Sequence, residues 1–306
     1  MEDNKFTLVG IQEGASEHIA APHYSYWKSV FKRFFSNKIA ITMLIIAGLV
    51  VAMAFIHPLI SGYDPAVNPY INDRWRQFLR PSLQFLFGTD NGGRDVFSAV
   101  WYGTRASLEI AVISTAITTV LGVAVGMLWG YSKKIDSFMI EVYNIVANVP
   151  FLLVVMVLVF VLGPGKWQLI FALSCTSWLS TAYFIRVQVM IIRDREYNLA
   201  SRCLGTPTYK VLLHNVLPYL ISVIVTSVAR DVPNFISYEV FLSYVGVGMG
   251  AQEASLGYII QTYAPYMSSA GYLFWIPVGV SALISVSLYV VGQALADASD
   301  PRTHMN

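Results

Sequence analysis

Hydrophobic positions in this chain gather in long unbroken runs, not in the alternating or three-to-four-residue stripes of a soluble fold. Ile39–Ile56, Ile110–Tyr131, Val142–Leu162, Trp167–Ile185 and Ala270–Ala296 contain no Asp, Glu, Lys or Arg. About 20 apolar residues cross a bilayer as a helix, so each run predicts a transmembrane helix. A sixth, Val216–Val245, is interrupted by Arg230, Asp231, Pro233 and Glu239, and must be shielded by other helices or line a cavity. The expected architecture is therefore an all-α polytopic membrane protein with six transmembrane helices. Its segments are a tail over 1–38, a first helix over 39–56, an outer loop over 57–104, a five-helix core over 105–296 and a tail over 297–306.

Composition agrees. The 306 residues are 56% hydrophobic and 12% charged, about half the charge of a soluble domain. A net charge of +2 without a concentrated basic face excludes nucleic-acid binding. Cys175 and Cys203 lie in dissimilar surroundings and imply no disulfide framework, which leaves structural thiols. The first run follows a polar tail too long for a signal peptide and has no small-residue cleavage site, so it is read as retained.

Charge orients the helices. Of the twenty Lys and Arg, thirteen fall in the N-terminal tail, the Lys133–Lys134 turn, the loop between the fourth and fifth spans and the C-terminal tail. Six fall on the other side: Arg74, Arg76, Arg80, Arg94, Arg105 and Lys166. The positive-inside rule puts both termini in the cytoplasm, with Tyr258, Tyr263, Tyr266, Tyr272 and Trp275 as an aromatic belt at the opposite interface.

Within the spans, Gly122, Gly126 and Gly130 recur every four residues and predict a face of close helix contact. Asn144 and Asn148 share one face of the third span and need an interhelical partner or water, and Pro150 predicts a kink.

The stretch Arg195–Pro218 reads as helix, sharp turn, helix. Glu196 suits a helix start, Arg202 a helix end, and Gly205 the left-handed closing position. Thr206 is a candidate N-cap and Pro207 a candidate first helical residue of the second helix.

At this point Glu196, Tyr197, Ala200, Arg202, Leu204, Gly205, His214, Leu217 and Pro218 resemble the EAA loop of ABC importer membrane subunits. The resemblance extends over nearly the whole chain, to the C-type membrane subunit of oligopeptide permeases. It is carried by Tyr26-Trp27-Lys28 through Asn37-Lys38, by Phe87-Gly88-Thr89-Asp90 through Gly93-Arg94-Asp95, by Leu242-Ser243-Tyr244 through Gly248, and by Ala296-Asp297 through Asp300-Pro301-Arg302. Leu199 and Ser201 depart from the loop pattern, where the family usually has Glu and a second Ala.

The resemblance implies a type I ABC importer permease fold with a cytoplasmic coupling helix that moves oligopeptides and catalyses no covalent chemistry. It implies a homologous second permease subunit, two cytoplasmic ATPases that bind ATP and Mg, and an extracellular lipid-anchored peptide-binding protein, in a bacterial cytoplasmic membrane. In this reading Glu196, Tyr197, Ala200, Arg202, Gly205, His214 and Pro218 couple to an ATPase, and the loop Asp90–Asp95 is a docking candidate for the binding protein.

Other chemistry is not encoded in recognisable form. Asp90-Asn91-Gly92-Gly93-Arg94-Asp95 lacks the ligand alternation and closing Glu of an EF-hand, and fits a tight turn whose Asp95 supports a helix start. Gly163-Pro164-Gly165-Lys166-Trp167 lacks Walker spacing, and no metal spacing or catalytic triad order appears. Arg230 and Asp231 are costly in mid-membrane, about 2.5–3.5 kcal/mol per charge on insertion scales. Two arrangements satisfy them: an ion pair with Glu239 or another neighbour, or a place on the translocation path where they meet the charged ends of a peptide. Alternatives to oligopeptide import are a permease for dipeptides or nickel, and a membrane scaffold or signalling protein without transport.

Overall fold

The computed structural model describes residues 26–68, 70–250 and 253–299. The tail Met1–Ser25 and the terminal motif Asp300-Pro301-Arg302 lie outside the described residues. Five helices are long and apolar enough to cross a membrane, and six if a bent pair counts as one span.

Helix α1 (Tyr26–Phe34) buries Val30 and Phe34 against Ala40, Ala294 and Ala298. Its other face shows Trp27, Phe31 and Phe35 in a row, with ring centroids 6.4 and 6.5 Å apart, beside Lys28 and Lys32. Aromatic and basic residues so arranged suit a helix lying along a membrane interface. Helix α2 (Lys38–Ser61) begins where the Asn37 side chain accepts from the amides of Ile39 and Ala40, and stops at Gly62 with φ +59°.

Helix α3 (Val96–Tyr131) starts fourteen residues before the apolar run begins. With α2 ending at Ser61, the connection is 62–95 and not the expected 57–104. The reason is pairing: Arg105 and Glu109 bond one turn apart at 2.8 Å, and Lys166 closes on the same Glu109. Charge that looks like loop in sequence is thus neutralised on a helix.

Helix α6 (Lys166–Arg193) lies along α3. A methyl group on Gly126 would stand 2.5 Å from the Ala182 carbonyl oxygen, and one on Gly130 2.6 Å from that of Arg186. On Gly122 it would meet the Thr181 side chain at 2.6 Å. The three glycines therefore allow backbone-to-backbone contact within the chain.

The third span is two helices, α4 (Lys133–Ala147) and α5 (Phe151–Leu162), meeting at 80°. The expected kink is a break, because Pro150 cannot continue α4. Asn148 folds back and donates its side-chain amide to the Asn144 backbone carbonyl at 2.5 Å, and both residues are exposed.

Helix α7 (Glu196–Cys203) is followed by α8 (Thr208–Val211), which runs through one wide turn, Leu212–Val216, into α9 (Leu217–Tyr244). Pro207 caps α8 and Thr208 is its first residue, one position later than expected, since Pro207 has an extended ψ of 146°. The wide turn accommodates Pro218, which has no amide for the His214 carbonyl and would clash with it in a regular helix.

Helix α10 (Leu256–Tyr263) and helix α11 (Gly271–Ser299) complete the fold. Pro233 leaves the Ala229 carbonyl without its helical donor, and there α11 presents Gly292, whose added methyl would stand 2.6 Å from that oxygen. Ile110, Val155, Leu169, Leu173, Ile236 and Ile284 form the central core.

Candidate functional site

One end of the bundle carries the loop Arg195–Pro218. Helix α7 closes as a Schellman turn: Gly205 (φ +78°) donates to the Arg202 carbonyl at 2.9 Å and Thr206 to that of Ser201 at 3.0 Å. No side chain crowds Gly205, so its backbone angle is what demands glycine. The seven coupling candidates Glu196, Tyr197, Ala200, Arg202, Gly205, His214 and Pro218 are all exposed. So are Leu199 and Leu204, the latter 86% exposed at the tip.

The loop is held by groups that sequence reading missed. Asn198 is fully buried and donates to the Ile192 carbonyl at 2.9 Å, while Asn215 donates to the Asn198 side-chain oxygen at 3.0 Å and to Ser201 Oγ at 3.3 Å. This ties α7 to α6 and to the wide turn. Arg202 bonds Tyr131 Oη at 3.0 Å and the Arg193 carbonyl at 3.0 Å, so it faces the bundle as well as solvent. Arg193 donates to the Gly130 carbonyl at 2.9 Å, and Asp136 on α4 holds Arg186 while accepting from Trp129 at 2.8 Å. These bonds join α7 to α3 and α6, and α4 to the same two helices.

At the other end, Asp90 accepts from the amides of Gly92 (2.8 Å) and Arg94 (2.9 Å), and Asp95 caps α3 through the amides of Phe97 and Ser98. The expected aromatic belt is largely absorbed into this packing. Tyr263 is buried and bonds Asp90 at 3.3 Å, Tyr272 bonds the Thr89 carbonyl at 2.9 Å, and Tyr266 takes a bond from Asn91 at 3.0 Å. A cavity of about 490 Å³ opens among Tyr63, Asn68, Asp90, Arg94 and Tyr258. Burial pushes the Tyr63 phenol up to about 12, with Arg94 opposing and Asp90 adding to the rise.

The mid-membrane candidates separate. Glu239 is fully buried and accepts from Ser107 Oγ and, at 2.8 Å, from Ser243 Oγ. Ser107 also accepts from the Leu256 amide at 3.2 Å, so this cluster fastens α3, α9 and α10. Glu239 therefore does not pair with Arg230: Ser107 of α3 and Ser243 of its own helix hold it beside the start of α10. Asp231 lines a cavity of about 260 Å³ between α5, α6 and α9, and Arg230 beside it is exposed. Cys175 and Cys203 are free and exposed, so neither is a buried structural thiol.

A helix bundle with apolar spans, one of them bent, is the architecture of a polytopic membrane protein. Residues 119–305 match the family described as binding-protein-dependent transport system inner membrane component, and the chain belongs to it. Residues 25–81 match the N-terminal TM domain of oligopeptide transport permease C. The chain is 48% identical to the oligopeptide transport system permease protein AmiD of Streptococcus pneumoniae, over 99% of both chains. It is 34% identical to oligopeptide permease OppC of Bacillus subtilis, over 98% of this chain and 97% of the other. To the dipeptide permease DppC of that organism it is also 34% identical, over 98% and 93%.

Proposed function

We propose that this chain is the C-type permease subunit of an ABC importer that carries oligopeptides across the cytoplasmic membrane of a bacterium. It pairs with a homologous permease subunit above two ATPases, which bind ATP and Mg, and receives peptide from a lipid-anchored binding protein outside. Both termini and the loop Arg195–Pro218 face the cytoplasm. The chain itself catalyses no covalent step.

The observation that carries this reading is the exposed, apolar-tipped helix α7, held on the bundle by Asn198, Asn215 and Arg202. An ATPase that grips Tyr197, Leu199 and Leu204 pulls on α3 and α6 through those bonds. Closing two ATPases brings two such loops together and turns the paired bundles from inward-facing to outward-facing. Arg230 and Asp231 are the path candidates, and Asp90–Asp95 with Arg94 is the docking candidate for the binding protein. Oligopeptides are preferred to dipeptides because the full-length relative at 48% identity carries the oligopeptide name.

Uptake of a labelled peptide pool by cells lacking the chain tests the reading. Wild type restores uptake, while Gly205→Pro combined with Glu196→Arg at equal membrane abundance does not. Equal uptake with and without the chain refutes peptide import.

A further inference from the structure

We propose that the cavity beside Asp231 is a receiving site for a primary ammonium group of the peptide, and that Asp231 is its counter-charge. The proposal rests on the reading as a peptide permease and deepens it. Among the half-buried and buried carboxylates of the spanning helices, Glu109 holds Arg105 and Lys166, Asp136 holds Arg186 and Trp129, and Glu239 holds two serines. Asp231 makes no hydrogen bond or ion pair to any described residue, and instead lines the cavity. Arg230 next to it in the chain contributes a favourable field without forming an ion pair, and a carboxylate held in a bundle with no direct partner beside a cavity points to a ligand.

The surroundings are matched to a donor. Asp231, Asn234 and Tyr238 share one face of α9, and Ser177, Ser180 and Thr181 share one face of α6. Ser177 already gives its proton to the Leu173 carbonyl at 2.7 Å, and Thr181 gives its own to the Ser177 carbonyl at 3.5 Å. What these two hydroxyls have left is lone pairs. A carboxylate with hydroxyl lone pairs accepts the three N–H bonds of an –NH₃⁺ group and rejects an anion. Phe151 and Tyr238, ring centroids 5.1 Å apart, add aromatic faces that attract a cation.

Size limits what enters. About 260 Å³ holds one end of a peptide or one side chain, not a whole oligopeptide. A second cavity of about 310 Å³ shares Phe151 and Ser180 with the first and lies against the break at Val149 and Pro150. A change in the 80° bend between α4 and α5 therefore moves Phe151 between the two cavities. This gives the site a way to open and close as the bundle turns.

The ammonium comes from the peptide N-terminus or from a lysine side chain, and the two sources are separable. The assay uses the complete transporter in proteoliposomes, with each peptide preloaded on the binding protein so that the receptor contributes equally in all arms. A lysine-free peptide is compared with its N-acetylated form, and a lysine peptide with its norleucine analogue, for wild type, Asp231→Asn and Asp231→Glu. The expected result is that Asp231→Asn lowers the free-to-capped uptake ratio at least tenfold for one of the two pairs, which names the source, and that Asp231→Glu keeps most of it. If Asp231→Asn leaves both ratios unchanged, or lowers all peptides by one factor, the ammonium site is refuted while peptide import stands. If wild type moves none of the four peptides, the peptide-permease reading itself fails.

Discussion

Replacing Gly126 by alanine adds one methyl group at the tightest point of the α3–α6 contact. That methyl would stand 2.5 Å from the Ala182 carbonyl oxygen and 2.8 Å from Ile185 Cβ, about 0.9 Å short of ordinary contact with the oxygen. The obstacle is backbone, so no rotamer change relieves it and the two helices must part by about that distance. Parting stretches the bond from Arg193 to the Gly130 carbonyl from 2.9 Å to beyond hydrogen-bonding range. Overpacking costs roughly 1–3 kcal/mol and the bond to a charged donor about 1.5–3 kcal/mol, against about 1 kcal/mol gained from alanine's helix propensity. A net loss of about 3 kcal/mol, over an unfolding entropy of about 0.6 kcal/mol/K for 306 residues, corresponds to a fall of about 5 °C in the thermal midpoint. The assay is thermal unfolding of the purified complex in nanodiscs, with import measured alongside. Gly48→Ala, where an added methyl meets nothing within 4 Å, is the control and leaves the midpoint in place. Gly122→Ala is expected to lower the midpoint as well, because its methyl meets Thr181 Cβ at 2.6 Å, an atom that no rotamer change moves. A Gly126→Ala complex that melts with wild type would refute the claim that this contact is closed at backbone distance.

Three other outcomes follow from the same reasoning. Asn198→Ala removes the bond to the Ile192 carbonyl and the one from Asn215, each worth about 0.5–1.5 kcal/mol, so import falls while ATP hydrolysis persists; full coupling in that variant would show that the clamp on α7 is dispensable. Glu239→Gln keeps an acceptor for Ser107 and Ser243 and accumulates near wild-type levels, whereas Glu239→Leu leaves both hydroxyls unpaired and lowers membrane abundance severalfold by immunoblot. Asp95→Ala removes the cap of α3 and costs about 0.5–2 kcal/mol in the same melting assay, while Asp95→Asn retains most of it; equal stability of all three would contradict the cap.

The spans were legible in the sequence because crossing lipid is a local demand on composition. Any run of about 20 uncharged residues satisfies it without knowledge of its neighbours. The turn at Gly205 was legible for a similar reason, since a left-handed angle is written in one residue. The glycine spacing likewise told which face of α3 is thin, and the structure supplied α6 as the helix that fills it. What the sequence could not tell is which polar groups neutralise each other. Arg105 and Lys166 read only as charge on the outer side until Glu109 pairs with both, Lys166 from 57 positions along the chain. Ser107 and Glu239 lie 132 positions apart, and Asn198 and Asn215 are interior only because α6 and the wide turn close over them. Asp231 and Glu239 are both carboxylates in one apolar run, and the sequence does not say which of them finds donors. Glu239 accepts from the hydroxyls of Ser107 and Ser243, while Asp231 faces a cavity where Ser177 and Thr181 donate elsewhere. In a medium without water, that difference in partners decides whether a carboxylate is a fastening or a site, and only the tertiary fold sets it.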